Sequence, residues 1–172
     1  VLRIADTSKY PHVTHFIDGD KDVNLKYTTK ILVPRQDVPT YDLKPEMRAE
    51  EVTEKIKYLI DDYDFVIVNY ANGDMVGHTG NYEAALKAVE ELDRCVRNLY
   101  ELAFQKDILL VITADHGNCE EMVDSKGRPH TYHTTNPVPF IVCDKKYDVC
   151  DGKLSDIAPS ILKVLGIDVP KE

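Results

Sequence analysis

The sequence predicts an α/β protein with a mostly parallel β-sheet and helices on both of its faces. Two near-continuous runs of β-branched and aliphatic residues, at 65–69 and 108–113, are typical of strands buried on both sides. A third such run spans 139–143 and opens with a proline, whose missing N–H costs little at the start of a strand. Helical patterns alternate with these runs, as in domains built around a parallel sheet.

The spacing of apolar residues predicts the other elements in chain order. They are strands at 12–16 and 31–33, and helices at 46–61, at 82–104 and from a capping Ser155 to Gly166. The helix at 82–104 has the clearest apolar stripe, which consists of Leu86, Val89, Leu92, Val96, Leu99 and Ala103. Helices on either side of the central strands therefore complete the predicted α/β architecture.

Length and composition indicate one soluble globular domain. The 172 residues are 43% hydrophobic and 30% charged, and the formal net charge is -9. An acidic chain without a basic stripe is poorly suited to nucleic acid, which is bound through phosphate neutralisation. The longest apolar runs have about five or six residues, too few to span a bilayer. We therefore expect neither nucleic-acid nor membrane partners.

The cysteines and the first residues bear on location and completeness. Four cysteines without a CxxC spacing predict reduced thiols and a cytoplasmic protein. The opening residues contain no apolar core of a signal peptide. Because the sequence starts with Val1, we expect it to be a piece of a longer chain.

Metal-ligating residue types follow the predicted strands, where a doubly wound sheet places its ligands. They lie in three loops: Asp74 and His78 after the first run, Asp115, His116 and Glu120 after the second, and His130 and His133 before the third. Carboxylate oxygens mixed with imidazoles suit Mn²⁺ or Zn²⁺ better than Mg²⁺. Consecutive Asp115 and His116 diverge in extended backbone, which favours two ions over one. Two metal ions a few ångströms apart stabilise the attacking and leaving oxygens of a phosphoryl transfer.

A structural interpretation of these residues stays open at this point. Either short pair alone, Asp74 with His78 or Asp115 with His116, arises often by chance. Asp74 is also well placed to cap the start of a helix. The residues themselves therefore support a dinuclear metal site without identifying the protein.

At these residues the sequence resembles the cofactor-independent phosphoglycerate mutases of the alkaline phosphatase superfamily. The matching stretches occur in the order of that family and reach nearly from end to end. They are ADTSKYPHVTHF, TYDLKPEM, VNYANGDMVGHTGNYEAALKAVEELD, ITADHGNCEEM, HTTNPVPFIV and LSDIAPSILKVLG.

The resemblance implies two divalent metal ions, usually manganese, with Mg²⁺, Co²⁺ or Zn²⁺ as other possibilities. One ion is implied at Asp74, His78 and His133, and the other at Asp115 and His116. The second site also needs an aspartate and the nucleophilic serine of an N-terminal segment that this sequence lacks. Lys9 matches the family lysine that touches the phosphoryl group, although a lysine is otherwise expected to be solvated. His12, His15, Cys119, Glu120 and His130 fall on no family ligand position and are interpreted as structural.

The implied activity is that of a glycolytic and gluconeogenic isomerase. It interconverts 3-phosphoglycerate and 2-phosphoglycerate through a phosphoserine, at metals that activate the serine and neutralise phosphoryl oxygens. The implied partner is the small-molecule phosphoglycerate, and the parent protein is expected to be monomeric. Without the serine, we expect these residues alone to be inactive.

The domain assignment follows from the same resemblance. Residues 1–172 correspond to the C-terminal portion of the alkaline phosphatase-like, metal-binding domain, and the inserted transferase domain of the family is absent. The predicted fold is accordingly incomplete, with an open sheet edge. Two alternatives remain: a phosphopentomutase or other phosphatase-superfamily hydrolase, and a non-catalytic metal-binding module.

Overall fold

The β-structure forms two separate sheets in the computed structural model, which describes residues 1–21 and 23–170. Three parallel strands, β1 (Leu2–Asp6), β2 (Thr29–Val33) and β3 (Val66–Asn69), have the order β2-β1-β3. Strands β4 (Val111–Thr113) and β5 (Phe140–Val142) pair antiparallel. Within the described ranges, β3 is hydrogen-bonded to β1 alone, so its outer edge is open.

The predicted α/β class with a parallel sheet is confirmed, but the expected arrangement of its strands is wrong. The runs at 65–69 and 108–113 are not the central strands of one sheet, because β3 lies at an edge and β4 belongs to the other sheet. The central strand is β1, whose five residues are all buried. It escaped prediction because Arg3 and Asp6 interrupt its apolar pattern at the very start of the chain.

Five α-helices connect and flank the strands within residues 1–21 and 23–170. They are α1 (Tyr10–Val13), α2 (Ala49–Leu59), α3 (Asn72–Gly77), α4 (Tyr82–Lys106) and α5 (Ile157–Val164), with 3₁₀ turns at Tyr41–Leu43, Ile60–Asp62 and Leu154–Asp156. The helices predicted at 46–61 and 82–104 correspond to α2 and α4. The last predicted helix corresponds to α5, but Asp156 precedes its first turn instead of the expected Ser155 cap.

The strand predicted at 12–16 is instead the end of α1 and the turn after it. Pro11 stands at the start of this helix, where its missing N–H is tolerated. The Thr14 hydroxyl donates a hydrogen bond to the Tyr10 carbonyl at 2.7 Å, which closes the turn. These local bonds outweigh the β-propensity of Val13 and Thr14.

The main core lies between the parallel sheet and the helices α2 and α4. Its buried members are Leu2, Ile4, Val33, Val52, Ile56, Ile60 and Leu99. The predicted α4 stripe is only partly buried, because Leu86 and Val89 are nearly half exposed. The buried residues in this part of α4 are instead the alanines at 84, 85 and 88, which form a second cluster with Val76 of α3. Small side chains on α4 thus allow the short α3 to lie close to it.

A search of the described helices for membrane-spanning segments finds none that is both long and apolar enough.

Candidate metal centre

Asp74 of helix α3 and His78, the residue that follows this helix, lie on one face of it. These residues are four positions apart, and side chains with this spacing are neighbours on a helix. Asn72, almost fully buried, anchors the start of the helix, since its side-chain amide donates to the carbonyls of Pro45 at 2.9 Å and Glu46 at 2.8 Å. The fold therefore fixes where the carboxylate and the imidazole point.

His133 completes a compact triangle of donor atoms with these two residues. Asp74 Oδ1 lies 3.0 Å from His78 Nε2 and 3.0 Å from His133 Nε2. The two imidazole nitrogens are 3.1 Å apart. Ligand atoms that share one face of an octahedral site of radius about 2.1 Å lie about 3 Å apart. The spacing therefore fits three ligands of a single divalent ion.

The tautomer of His78 is set by its second ring nitrogen. His78 Nδ1 lies 2.8 Å from the carbonyl oxygen of Thr131. Because a carbonyl oxygen only accepts, Nδ1 must carry the proton, and the lone pair is left on Nε2 within the triangle. A backbone carbonyl in this position is typical of metal-binding histidines.

Lys9 neutralises the far oxygen of the same carboxylate. Its side chain is buried, and Nζ lies 2.5 Å from Asp74 Oδ2. Burial alone would raise the pKa of Asp74, but hydrogen bonds from Lys9 and Asn118 outweigh it and lower this pKa to about 2. Asp74 is thus ionised at any physiological pH. Its Oδ2 contacts the Lys9 ammonium, and its Oδ1 lies beside the imidazoles of His78 and His133.

The parallel sheet explains how Lys9 reaches Asp74. Leu2 of β1 is opposite Val66 of β3, and the two strands run side by side to Ala5 and Asn69. Lys9 follows β1 by three residues, and its N–H donates to the Asp6 carbonyl at 3.1 Å. Since parallel strands end at the same edge, the residues that follow them meet there.

The second predicted pair is brought only partly into this cluster. The His116 ring stacks on the His133 ring with centroids 3.6 Å apart, and His116 Nε2 is 4.0 Å from Asp74 Oδ1. The Asp115 side chain is half exposed, with Oδ2 3.6 Å from His116 Nε2. His116 therefore borders the triangle, whereas Asp115 lies at its rim.

Comparison with known proteins gives the family. The family model described as the Metalloenzyme superfamily matches residues 1–169. This chain belongs to the metalloenzyme superfamily. A metal-binding family is in keeping with the donor triangle of Asp74, His78 and His133.

Individual relatives of this superfamily member confirm the resemblance to phosphoglycerate mutases. The chain is 53% identical to the 2,3-bisphosphoglycerate-independent phosphoglycerate mutase of Francisella tularensis and 50% identical to that of Onion yellows phytoplasma, each over 99% of its residues. It also matches a crystal structure of Leishmania mexicana phosphoglycerate mutase at low cobalt concentration, with 28% identity and a TM-score of 0.86. The chain spans about a third of the length of each of these proteins.

Sequence reasoning missed Asn118 as part of this superfamily member's site. Its side-chain amide donates to Asp74 Oδ1 at 2.8 Å and to the Asp74 carbonyl at 3.2 Å. A side chain at Gly77 would overlap the Asn118 amide, so glycine is needed for this approach. The ADHGN stretch indicates a metal site through Asp115 and His116, whereas a contact from the Asn118 amide to α3 leaves no pattern in the sequence.

The residues interpreted as structural surround the triangle without joining it. The Cys119 thiol donates to the Gly73 carbonyl at 2.7 Å, and burial raises its pKa to about 11. His12 Nε2 is 3.5 Å from Lys9 Nζ. The pKa of His12 is lowered, mainly by burial and to a smaller extent by the Lys9 charge. Among the described residues, neither Glu120 nor His130 shares the group of close donor atoms.

The first prediction concerns the Asp74–Lys9 ion pair. In Lys9→Met, burial remains while the cation is lost, so the pKa of Asp74 should rise well above about 2. Measurement of the Asp74 side-chain carbon shift against pH by NMR gives this pKa directly. Lys126→Met, at an exposed loop position, is the control. An unchanged Asp74 pKa in Lys9→Met would contradict the ion pair.

The same ion pair has a predictable effect on stability. The pKa of Asp74 is lower in the folded chain than its ordinary value of 3.8. A depressed carboxyl pKa stabilises the fold above about pH 4, and this contribution is lost as the pH falls towards about 2. Lys9→Met should therefore weaken the acid dependence of the unfolding free energy in that range.

Proposed function

We propose that this chain is the C-terminal portion of the metal-binding domain of a cofactor-independent phosphoglycerate mutase. The proposal is that the whole protein interconverts 3-phosphoglycerate and 2-phosphoglycerate. The observation that carries it is the triangle of Asp74, His78 and His133 in a chain half identical to mutases over nearly all its length. The inserted transferase domain and the serine nucleophile are proposed to lie in sequence outside these residues.

The triangle is proposed to hold one divalent ion through Asp74 Oδ1 and the Nε2 atoms of His78 and His133. Its spacing, the tautomer of His78 and the ionised carboxylate all support this assignment. Manganese is the proposed ion, because one carboxylate with two imidazoles suits Mn²⁺ better than Mg²⁺.

A second ion is proposed at Asp115 and His116, with further ligands from outside these residues. The position of His116 beside the triangle supports this proposal. The half-exposed Asp115 carboxylate is free to turn towards such an ion. Two protein ligands hold a divalent ion weakly, so this site should fill poorly in the isolated chain.

Lys9 is proposed to contact the transferred phosphoryl group. Its ammonium is buried beside ionised Asp74, so it brings a fixed positive charge to the edge of the sheet. Positive charge aimed at phosphoryl oxygens stabilises the charge that they carry in the transition state. Bound divalent ions supply Lewis acidity and lower the pKa of a coordinated hydroxyl. Asn118 and Thr131 hold Asp74 and His78 in place for both roles.

A cytoplasmic location and a place in glycolysis and gluconeogenesis are further parts of the proposal. All four cysteines are free thiols in the structure, which is typical of proteins in a reducing compartment. Phosphoglycerate as the small-molecule partner follows from the activity that the curated relatives are named for.

Metal titration by calorimetry tests the triangle. The chain should bind close to one equivalent of Mn²⁺, and His133→Ala should weaken this affinity by at least about 10-fold, since one of three ligands is lost. His15→Ala is the matched control, because His15 is a half-exposed histidine on another loop. Equal affinities of the parent chain and His133→Ala would contradict the assignment.

A coupled mutase assay tests the need for an external nucleophile. With Mn²⁺ present, turnover of 3-phosphoglycerate by the isolated chain should be undetectable, because the nucleophilic serine is proposed to lie outside these residues. Ser8 is the serine closest to Lys9 in sequence, and its hydroxyl lies 2.9 Å from the Tyr41 hydroxyl. Activity that disappears in Ser8→Ala would contradict the proposal. Hydrolysis of p-nitrophenyl phosphate without mutase activity would favour the hydrolase alternative.

A further inference from the structure

Two loops, one after β4 and one before β5, bring His116 and His133 together. An antiparallel bridge joins Gly117 to Thr134, in which the Thr134 N–H donates to the Gly117 carbonyl at 3.0 Å. The two histidines precede these residues, and their rings are nearly parallel, with 16° between the planes. A side-chain contact between the two loops adds to this backbone bridge.

The Glu120 carboxylate supplies that contact. Its Oε2 accepts the Asn118 N–H at 2.6 Å, which is in the loop of His116. Its Oε1 accepts the Asn136 side-chain amide at 3.1 Å and the Thr134 hydroxyl, both of which are in the loop of His133. Hydrogen bonds to a charged acceptor are stronger than those between neutral groups. One side chain therefore ties the two loops together.

Gly117 leaves the space for this carboxylate. A Cβ atom at position 117 would overlap both Glu120 Oε1 and Thr134 Oγ1. A side chain at position 117 would push these two groups out of their present hydrogen bonds, so glycine lets the bridge and the carboxylate share this place. The hydrogen bonds of Glu120 therefore depend on the glycine at position 117.

The same carboxylate acts indirectly on Asp74. Asn118, whose backbone N–H is held by Glu120, donates its side-chain amide to Asp74 Oδ1. Glu120 therefore contacts residues close in the chain to His116 and His133 and is linked to Asp74 through Asn118. Neighbouring Glu121 is also exposed, but its side chain makes no hydrogen bond or ion pair within residues 1–21 and 23–170.

We propose that Glu120 is a positioning residue that sets the relative placement of Asp74, His116 and His133 for metal binding. It does so through hydrogen bonds to both histidine-bearing loops and is not itself a ligand. This inference rests on the proposed metal-binding function of the triangle.

Metal titration of the full chain gives the first test. Glu120→Ala should weaken the affinity for Mn²⁺ by about 10- to 100-fold, as for other residues that orient ligands. Glu120→Gln keeps one acceptor oxygen and should recover part of this loss. Glu121→Ala removes an equal charge from the adjacent residue and should leave the affinity for Mn²⁺ unchanged. Equal losses in Glu120→Ala and Glu121→Ala would overturn the proposal.

A double-mutant cycle separates positioning from general destabilisation. If Glu120 acts through His133, Glu120→Ala should add little to the loss already caused by His133→Ala. Fully additive losses would show that the two residues act independently, against the proposal.

A metal-free measurement keeps the two proposals apart. NMR of the apo chain should show contacts between the His116 and His133 rings in the parent chain and in Glu121→Ala, but not in Glu120→Ala. Persistent ring contacts in Glu120→Ala would overturn the positioning role. A parent chain that keeps the ring contacts but binds no Mn²⁺ would contradict the proposed function, and with it any role of Glu120 in metal binding.

Discussion

The Asp74 carboxylate is the group on which the arrangement of the site depends. One of its oxygens meets the Lys9 ammonium, and the other meets the two imidazoles and the Asn118 amide. A largely buried carboxylate without partners would be costly, and its pKa would rise. Lys9 and Asn118 reverse that tendency, so the carboxylate stays charged and is able to bind a divalent cation. The shared carboxylate also places the Lys9 ammonium beside the proposed metal.

Backbone geometry brings these partners together from distant parts of the chain. The parallel pairing of β1 and β3 carries Lys9 and Asp74 to one edge of the sheet, and the short α3 adds His78 one turn later. His133 lies in the loop that precedes β5, outside any helix or strand. Its position depends on the bridge between Gly117 and Thr134 and on side-chain hydrogen bonds.

Much of the site was predictable because its residues follow strands in sequence. The placement of Asp74 and His78 after one apolar run, and of His116 after another, indicated that they would meet. The strand order was not predictable, because apolar runs show burial but not which strands pair. The short helix at Tyr10–Val13 was missed since Val13 and Thr14 favour strands, and local hydrogen bonds decide otherwise. Asn118 and Glu120 act through contacts between loops, for which the sequence has no periodic signal.

Anomalous diffraction from crystals of the chain grown with Mn²⁺ tests the central claim most directly. The account predicts a strong manganese peak bonded to Asp74 Oδ1, His78 Nε2 and His133 Nε2, with Lys9 still against Asp74 Oδ2. Occupancy near Asp115 and His116 should be weak or absent by comparison. A manganese peak elsewhere, or an Asp74 carboxylate that binds Lys9 while the imidazoles hold no ion, would contradict it.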